Sequence, residues 1–156
     1  MATRSVLFAL AGLSFVALVV LAVLVRARLR PRIPHVGLSE GRLRSCPSSS
    51  NCVVTEGGDS AHSAAPIVFR GAPAVAMHDL TELLARRPRV RIVTARPDYV
   101  HAEFRSALFG FVDDFEARLD EKESRIEVRS ASRSGTSDLG VNRRRVESIR
   151  AALEKP

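Results

Sequence analysis

The chain opens with an apolar run that has no polar face. It extends from Val6 to Val25, twenty residues interrupted only by Gly12 and Ser14. Its length and all-round apolarity predict a single helix that spans a bilayer. A cleavable signal would have a shorter apolar core followed by small residues, whereas here Arg26, Arg28, Arg30 and Arg32 follow. That flank predicts an uncleaved anchor whose arginines meet anionic lipid headgroups. Residues 31–66 are rich in Pro, Ser and Gly and show little periodicity, so they read as a linker that becomes an ordered loop around Cys46–Cys52. Periodic sequence begins at Ile67. Ile67–Phe69 is a short strand candidate. Ala76, Leu80, Leu83 and Leu84 share one face of a helix from Pro73 to about Arg86; Pro73 suits its first turn and Pro88 ends it. Met77 falls in that helix's core face and His78 on its exposed side.

Four strands follow, at about 89–95, 99–106, 111–120 and 125–131. Between Tyr99 and Ser106 the alternation is strict: Val100, Ala102 and Phe104 lie on one face, and Tyr99, His101, Glu103 and Arg105 on the other. In the next strand Phe111, Asp113, Phe115, Ala117 and Leu119 share the core-facing side. The charges fix how this strand pairs with the last one. If paired residue numbers sum to 245, Asp120 faces Arg125, Arg118 faces Glu127 and Glu116 faces Arg129. A slip to 243 would set Arg118 against Arg125 and Glu116 against Glu127. Each opposite-charge pair contributes about 0.2–1 kcal/mol and like pairs repel, so the first register is expected, with a four-residue loop at Glu121–Ser124. Asp113 then sits between two core phenylalanines and needs a partner, because an unpaired buried carboxylate costs several kcal/mol. It faces Ser132, which predicts bonding to the Ser130–Arg133 backbone, to the hydroxyls of Ser130 and Ser132, or to Arg133. Asp113, Asp114, Ser130 and Ser132 are thus expected to form a structural polar network.

The stretch from Ile126 to Leu153 has the densest chemistry. A strand gives way to a loop of Ser, Gly and Thr residues, then to a helix over about 141–154 marked by Val146, Ile149 and Leu153. Asp138 is placed to cap that helix. Arg143, Arg144 and Arg145 lie in its first turns, where cations oppose the helix dipole. One reading is an anion site, in which Arg129, Arg133, Ser137, Asp138, Asn142 and Arg143 hold a phosphate or carboxylate at the helix start. The plainer reading is a solvated basic face, or arginines paired with the acidic strand Asp113–Glu116.

Composition changes this picture in two ways. The chain has 156 residues and a formal net charge of +7, but five arginines and no acidic residue lie within 1–32. The remainder is close to balanced, so the basic pI belongs to the membrane flank. With one tyrosine and no tryptophan, nucleic-acid binding is not expected. Cys46 and Cys52, six apart, are compatible with a disulfide in an oxidising compartment, with paired structural thiols, with a nucleophile or, last in order, with a metal site, for which too few ligands are at hand. No metal and no cofactor is expected. The arginine flank places the domain on the cytoplasmic side by the positive-inside rule. No Walker loop, HExxH, GxSxG or dinucleotide fingerprint occurs.

Cys46-Pro-Ser-Ser-Ser-Asn-Cys-Val53, Tyr99-Val-His-Ala-Glu103, Phe111-Val-Asp-Asp-Phe-Glu116 and the run from Arg129 to Arg145 resemble the family catalogued as domain of unknown function 1499. The resemblance covers about Leu43 to Leu153. Ser50 departs from a usual proline, Val54-Thr55 from a common Ser-Ser, and Ala117 from a common aromatic. Members often carry an export signal, lipoprotein signal or membrane segment, which implies the outer side of the membrane, against the arginine flank. The resemblance implies no activity, substrate or cofactor.

The expected architecture is an α+β domain over 67–156, after an anchor at 1–32 and a linker with a cysteine loop at 33–66. In it an antiparallel four-stranded meander packs against two helices, preceded by one N-terminal transmembrane helix. The expected role is a membrane-anchored module that binds an anionic small molecule, a lipid headgroup or a partner protein at the Arg129–Arg145 loop. The alternatives are an enzyme using Asp113 and Asp114 with the arginines, with His101 or Cys52 as further groups, and a purely structural envelope scaffold. No catalytic residue is assigned.

Overall fold

The computed structural model describes residues 12, 14–21 and 35–154. Residues 14–21 are helical. The rest of the expected span Val6–Val25, and the flank Arg26–Arg32, lie outside the described residues. Among the described residues, no helix is long and apolar enough to cross a membrane.

Residues 35–154 form an α+β unit. In chain order its elements are β1 (Leu38–Ser39), β2 (Arg42–Leu43), β3 (Cys52–Val54), β4 (Ile67–Val68), α1 (Pro73–Ala85), β5 (Val90–Ala95), β6 (Tyr99–Arg105), β7 (Val112–Asp120), β8 (Arg125–Ser132) and α2 (Val141–Leu153). The four expected strands are β5 to β8, joined as an antiparallel meander. The sheet is wider than four strands. Among the described residues it has six, because β3 and β4 share the outer edge of β8: Cys52 faces Ala131 at one end and Ile67 faces Ile126 at the other. Strands of three and two residues are too short to show a period, and the segment that supplies β3 reads as linker for that reason.

The β7–β8 register is the charge-matched one: Asp113 faces Ser132, Glu116 faces Arg129, Arg118 faces Glu127 and Asp120 faces Arg125. At the opposite edge, β5 carries a bulge at Val93, between the pairs Ile92–Ala102 and Thr94–His101. One sheet face packs on the helices. Phe115, Ala117, Val100, Ala102, Ile126 and Val128 meet Met77, Leu80 and Leu84 of α1 and Val146 and Ile149 of α2. This is the apolar stripe that the helical spacing marks.

The other face is not left to water. Residues 35–56 fold across it, and Leu43, Val54 and Tyr99 form a small second core there. Backbone groups of this cover bond to sheet carboxylates: the Gly37 N–H donates to Glu116 at 2.6 Å. Cys46 and Cys52 form a disulfide that closes the loop between the cover and β3.

α2 begins differently from the expected Asp138 cap. Its N-cap is Gly140, at φ 77°, a conformation that L side chains rarely adopt. A Cβ there would also come within 3.0 Å of the Arg144 guanidinium. Asp138 acts from two residues upstream, accepting from the N–H groups of Gly140 at 3.0 Å and Asn142 at 2.6 Å.

Candidate functional site

Successive residues of a strand point to opposite faces, so the adjacent carboxylates Asp113 and Asp114 enter different environments. Asp113 faces the helices. Its partner is Arg145, whose guanidinium donates to it at 2.6 Å and stacks 4.4 Å from the centre of the Phe104 ring. Of the partners expected for it, Arg133 is not available, because Arg133 follows β8 on the other face. Arg145 also donates to Ser130 Oγ at 2.9 Å and to Asn142 Oδ1. Asn142 is fully buried. It accepts from Ser130 Oγ at 2.6 Å and donates to Ser132 Oγ at 2.9 Å and to the Asn51 carbonyl at 3.0 Å. Asp113, Ser130, Ser132, Asn142 and Arg145 therefore form one closed network that joins β7, β8, α2 and the cysteine loop.

Asp114 lies in the polar layer of the opposite face. It accepts from Arg133 at 2.6 and 2.9 Å and contacts His101 Nε2 at 2.7 Å. Burial pushes its carboxyl up, but the Arg133 and His101 hydrogen bonds together outweigh that and hold it below the usual carboxylate range. Glu103 is the same case. Burial raises it, and the bonds from Arg133 at 2.7 Å and Arg91 at 3.0 Å bring it below its ordinary value. Arg133 is held protonated by Asp114 first, against its own desolvation.

Behind them, Glu116 is fully buried and accepts from Tyr99 Oη at 2.7 Å and Arg129 at 3.0 Å as well as from Gly37. Burial, and then this carboxylate, push the Tyr99 phenol above its usual range. Glu56 joins the cover to the sheet, accepting from the Leu43 N–H at 2.6 Å and from Arg118 at 2.8 Å. Glu127 pairs with Arg125 at 2.7 Å and accepts from Thr55 Oγ1.

A cleft of about 450 Å³ opens on this face, between the cysteine loop and the end of β8. Its lining includes His35, Arg44, Cys46, Ser49, Asn51, Asp114, Arg129 and Arg133. Arg129 is nine-tenths buried; one of its terminal nitrogens serves Glu116, while its Nε is buried without a hydrogen-bond partner. Arg44 is exposed at the rim.

Of the residues expected to bind an anion, the cleft brings Arg129 and Arg133 together. Arg143 lies elsewhere, donating to the carbonyls of Ser63 at 2.7 Å and Ala61 at 2.9 Å. Ser137 accepts from the Leu139 N–H at 3.4 Å, Asp138 serves the start of α2, and Asn142 is enclosed in the core network. The arginines that oppose the helix dipole are each matched to oxygen: Arg143 to the 61–63 loop, Arg144 to the Leu139 carbonyl at 2.9 Å, and Arg145 to Asp113. His101 and Asp114 are in contact, but Asp113 is on the far side of the sheet, so the two carboxylates do not converge. Cys52 is oxidised and carries no thiol. Among the described residues, no group of three His, Cys, Asp or Glu side chains is placed to hold a metal ion.

Sequence alternation places Tyr99 on this face beside His101 and Glu103, but does not single out Arg44, Glu56 or Asn51 for it. Arg145 stands in the arginine run, but its partner is set by packing. The sequence signals for the buried layer are the alternation of β6 and the charge-matched register.

Comparison with known proteins gives one family. A family described as "Protein of unknown function (DUF1499)" matches residues 42–153. No curated protein matches the chain.

Proposed function

The chain belongs to the DUF1499 family, and from that starting point we propose that it is a membrane-anchored module that binds an anionic group in the cleft between the cysteine loop and β8. The observation that carries this reading is the cleft's charge. Three guanidinium groups, from Arg44, Arg129 and Arg133, line it; Arg129 is paired with Glu116 and Arg133 with Asp114 and Glu103, while Arg44 at the rim has no carboxylate partner among the described residues. A small phosphate or carboxylate fits both the volume and the charge, and it would be recognised mainly by charge-assisted hydrogen bonds.

Anchoring rests on the sequence: the twenty-residue apolar run Val6–Val25 and its arginine flank. The disulfide favours an oxidising compartment, and so the outer side of the membrane. The arginine flank argues for the cytoplasmic side. The purely structural reading has its own support, since Arg143, Arg144 and Arg145 are all spent on protein oxygens.

The test is titration of the detergent-solubilised full chain with inorganic phosphate and with glycerol phosphate, followed by calorimetry or NMR shifts. Binding should weaken about tenfold in Arg44→Gln, the equivalent of one charge-assisted hydrogen bond of about 1.4 kcal/mol. Absence of saturable binding, or equal binding by Arg44→Gln, would leave the structural reading.

A further inference from the structure

The two ends of the sheet differ in a way that the cleft does not use. At one end, the 106–111 loop between β6 and β7 lies beside the 133–140 loop that leaves β8, because Asp113 faces Ser132 and the Arg133 N–H donates to the Val112 carbonyl at 3.0 Å. The crests of both loops carry large apolar side chains in water: Leu108 is 81% exposed, Phe109 70% and Leu139 84%. Residues 105–110 are all exposed. Single exposed apolar residues are ordinary on a protein surface, but an adjacent pair at a hairpin crest, where polar turn residues are usual, with a third on the neighbouring loop, is not.

The exposed charges around these crests are arginines; the β6 carboxylate beside them, Glu103, is buried and shared by Arg91, Arg105 and Arg133. Arg105 is exposed next to the first crest, and its N–H donates to the carbonyl of Arg89, another exposed arginine, at 3.0 Å. Arg144, also exposed, reaches back to the Leu139 carbonyl at 2.9 Å. No acidic residue lies in 104–112. The one acid of 133–145 is Asp138, and its carboxylate is bound to backbone N–H groups of the α2 start. The turns at the opposite end of the sheet are of mixed sign, with exposed Arg96 paired to Asp98 and exposed Lys122 between Glu121 and Glu123. The apolar tip is thus set among exposed arginines.

We infer that this tip docks on an anionic bilayer. Leu108, Phe109 and Leu139 enter the boundary between headgroups and acyl chains, while Arg89, Arg105 and Arg144 meet lipid phosphates. Apolar crests flanked by cations match that interface. The site is separate from the cleft and does not depend on what the cleft binds.

The sequence contains no tryptophan, so Phe109→Trp makes a single reporter. Val68→Trp, 56% exposed on the strand paired with Arg125 at the other end of β8, is the control. Both full-length variants would be reconstituted into vesicles of phosphatidylcholine with or without phosphatidylglycerol, with brominated acyl chains as quencher. The expected result is blue-shifted, quenched emission from Phe109→Trp in the anionic vesicles and solvent-like emission from Val68→Trp. Quenching at Phe109→Trp should be lost when Arg89, Arg105 and Arg144 are all changed to Gln. Solvent-like, unquenched Phe109→Trp emission in both vesicle types would overturn the inference and make a protein the occupant to seek. Flotation of the chain with the vesicles reports the anchor separately, so failure of the anchor is distinguishable from failure of the crest.

Discussion

Arg145 of α2 holds Asp113 of β7 at 2.6 Å on the helix side of the sheet, while Asp114, the next residue, is held from the other side by Arg133. Two neighbouring carboxylates thus clamp two different layers to one strand. Both members of the Asp113–Arg145 pair are largely buried, with side chains 14% and 9% exposed. Breaking such a pair from one side strands the other charge. Asp113→Ala should cost about 3–5 kcal/mol. Replacing both residues, as in Asp113→Ala with Arg145→Met, should recover much of that loss. Urea denaturation of both variants checks this, and an Asp113→Ala variant with an unchanged midpoint would refute it.

Asn142 has four hydrogen-bond partners inside the core network. Asn142→Ala leaves the Ser132 hydroxyl without a partner and takes one of two from the Asn51 carbonyl and from the Ser130 hydroxyl, which keep the Ser132 N–H and Arg145. At about 1–3 kcal/mol for each group left unsatisfied, the loss should exceed that of an ordinary surface substitution several-fold. The cysteine loop should loosen with it, seen as faster amide exchange at Asn51 and Cys52.

Acid should unfold the domain through its polar layer. Asp114 and Glu103 have folded pKa values below their ordinary 3.8 and 4.5. Their contribution to stability is therefore complete above those ordinary values and is lost as pH falls through the lower folded ones. Arg133 bonds to both, so Arg133→Gln should raise the midpoint of acid unfolding. Circular dichroism between pH 7 and pH 2 reads that midpoint; a downward shift would contradict the pairing.

Reduction should act on the cover more than on the sheet. Closing a loop of about seven residues restricts the unfolded chain by about 2 kcal/mol in the chain-entropy account, so Cys46→Ser with Cys52→Ser should lower the melting temperature by that equivalent. In intact cells, a membrane-impermeant thiol reagent should label these cysteines only after reduction if the domain lies outside. Free thiols found only after lysis would place it inside.

The sequence carried much of the sheet. β5 to β8 and both helices were legible because their apolar positions recur at strand or helix period. The β7–β8 register was legible because Asp120, Arg118 and Glu116 each find an opposite charge in only one of the two pairings considered. What was not legible is what covers the second face. Asp114, Glu116 and Arg118 read as the polar side of a strand, yet Glu116 is fully buried beneath a segment with no period of its own. Asp113's partner, 32 residues away on another element, was also out of reach of local reasoning. For the site, Arg129 and Arg133 were marked by loop chemistry, whereas Arg44 comes to the cleft through the fold of the cover.

The bulge at Val93 also has a consequence for association. On the side of β8, β3 and β4 of the same chain occupy the outer positions, which leaves β5 as the long edge strand among the described residues. An unpaired edge is a template for another chain. The extra residue breaks the regular spacing of donors and acceptors along β5, and the exposed charged side chains of Arg89, Arg91 and Arg96 stand on it and at its two ends. The irregularity therefore acts as a guard against edge-to-edge stacking. A chain lacking Val93 would present a straight, regular edge and should self-associate at concentrations where the parent stays monodisperse.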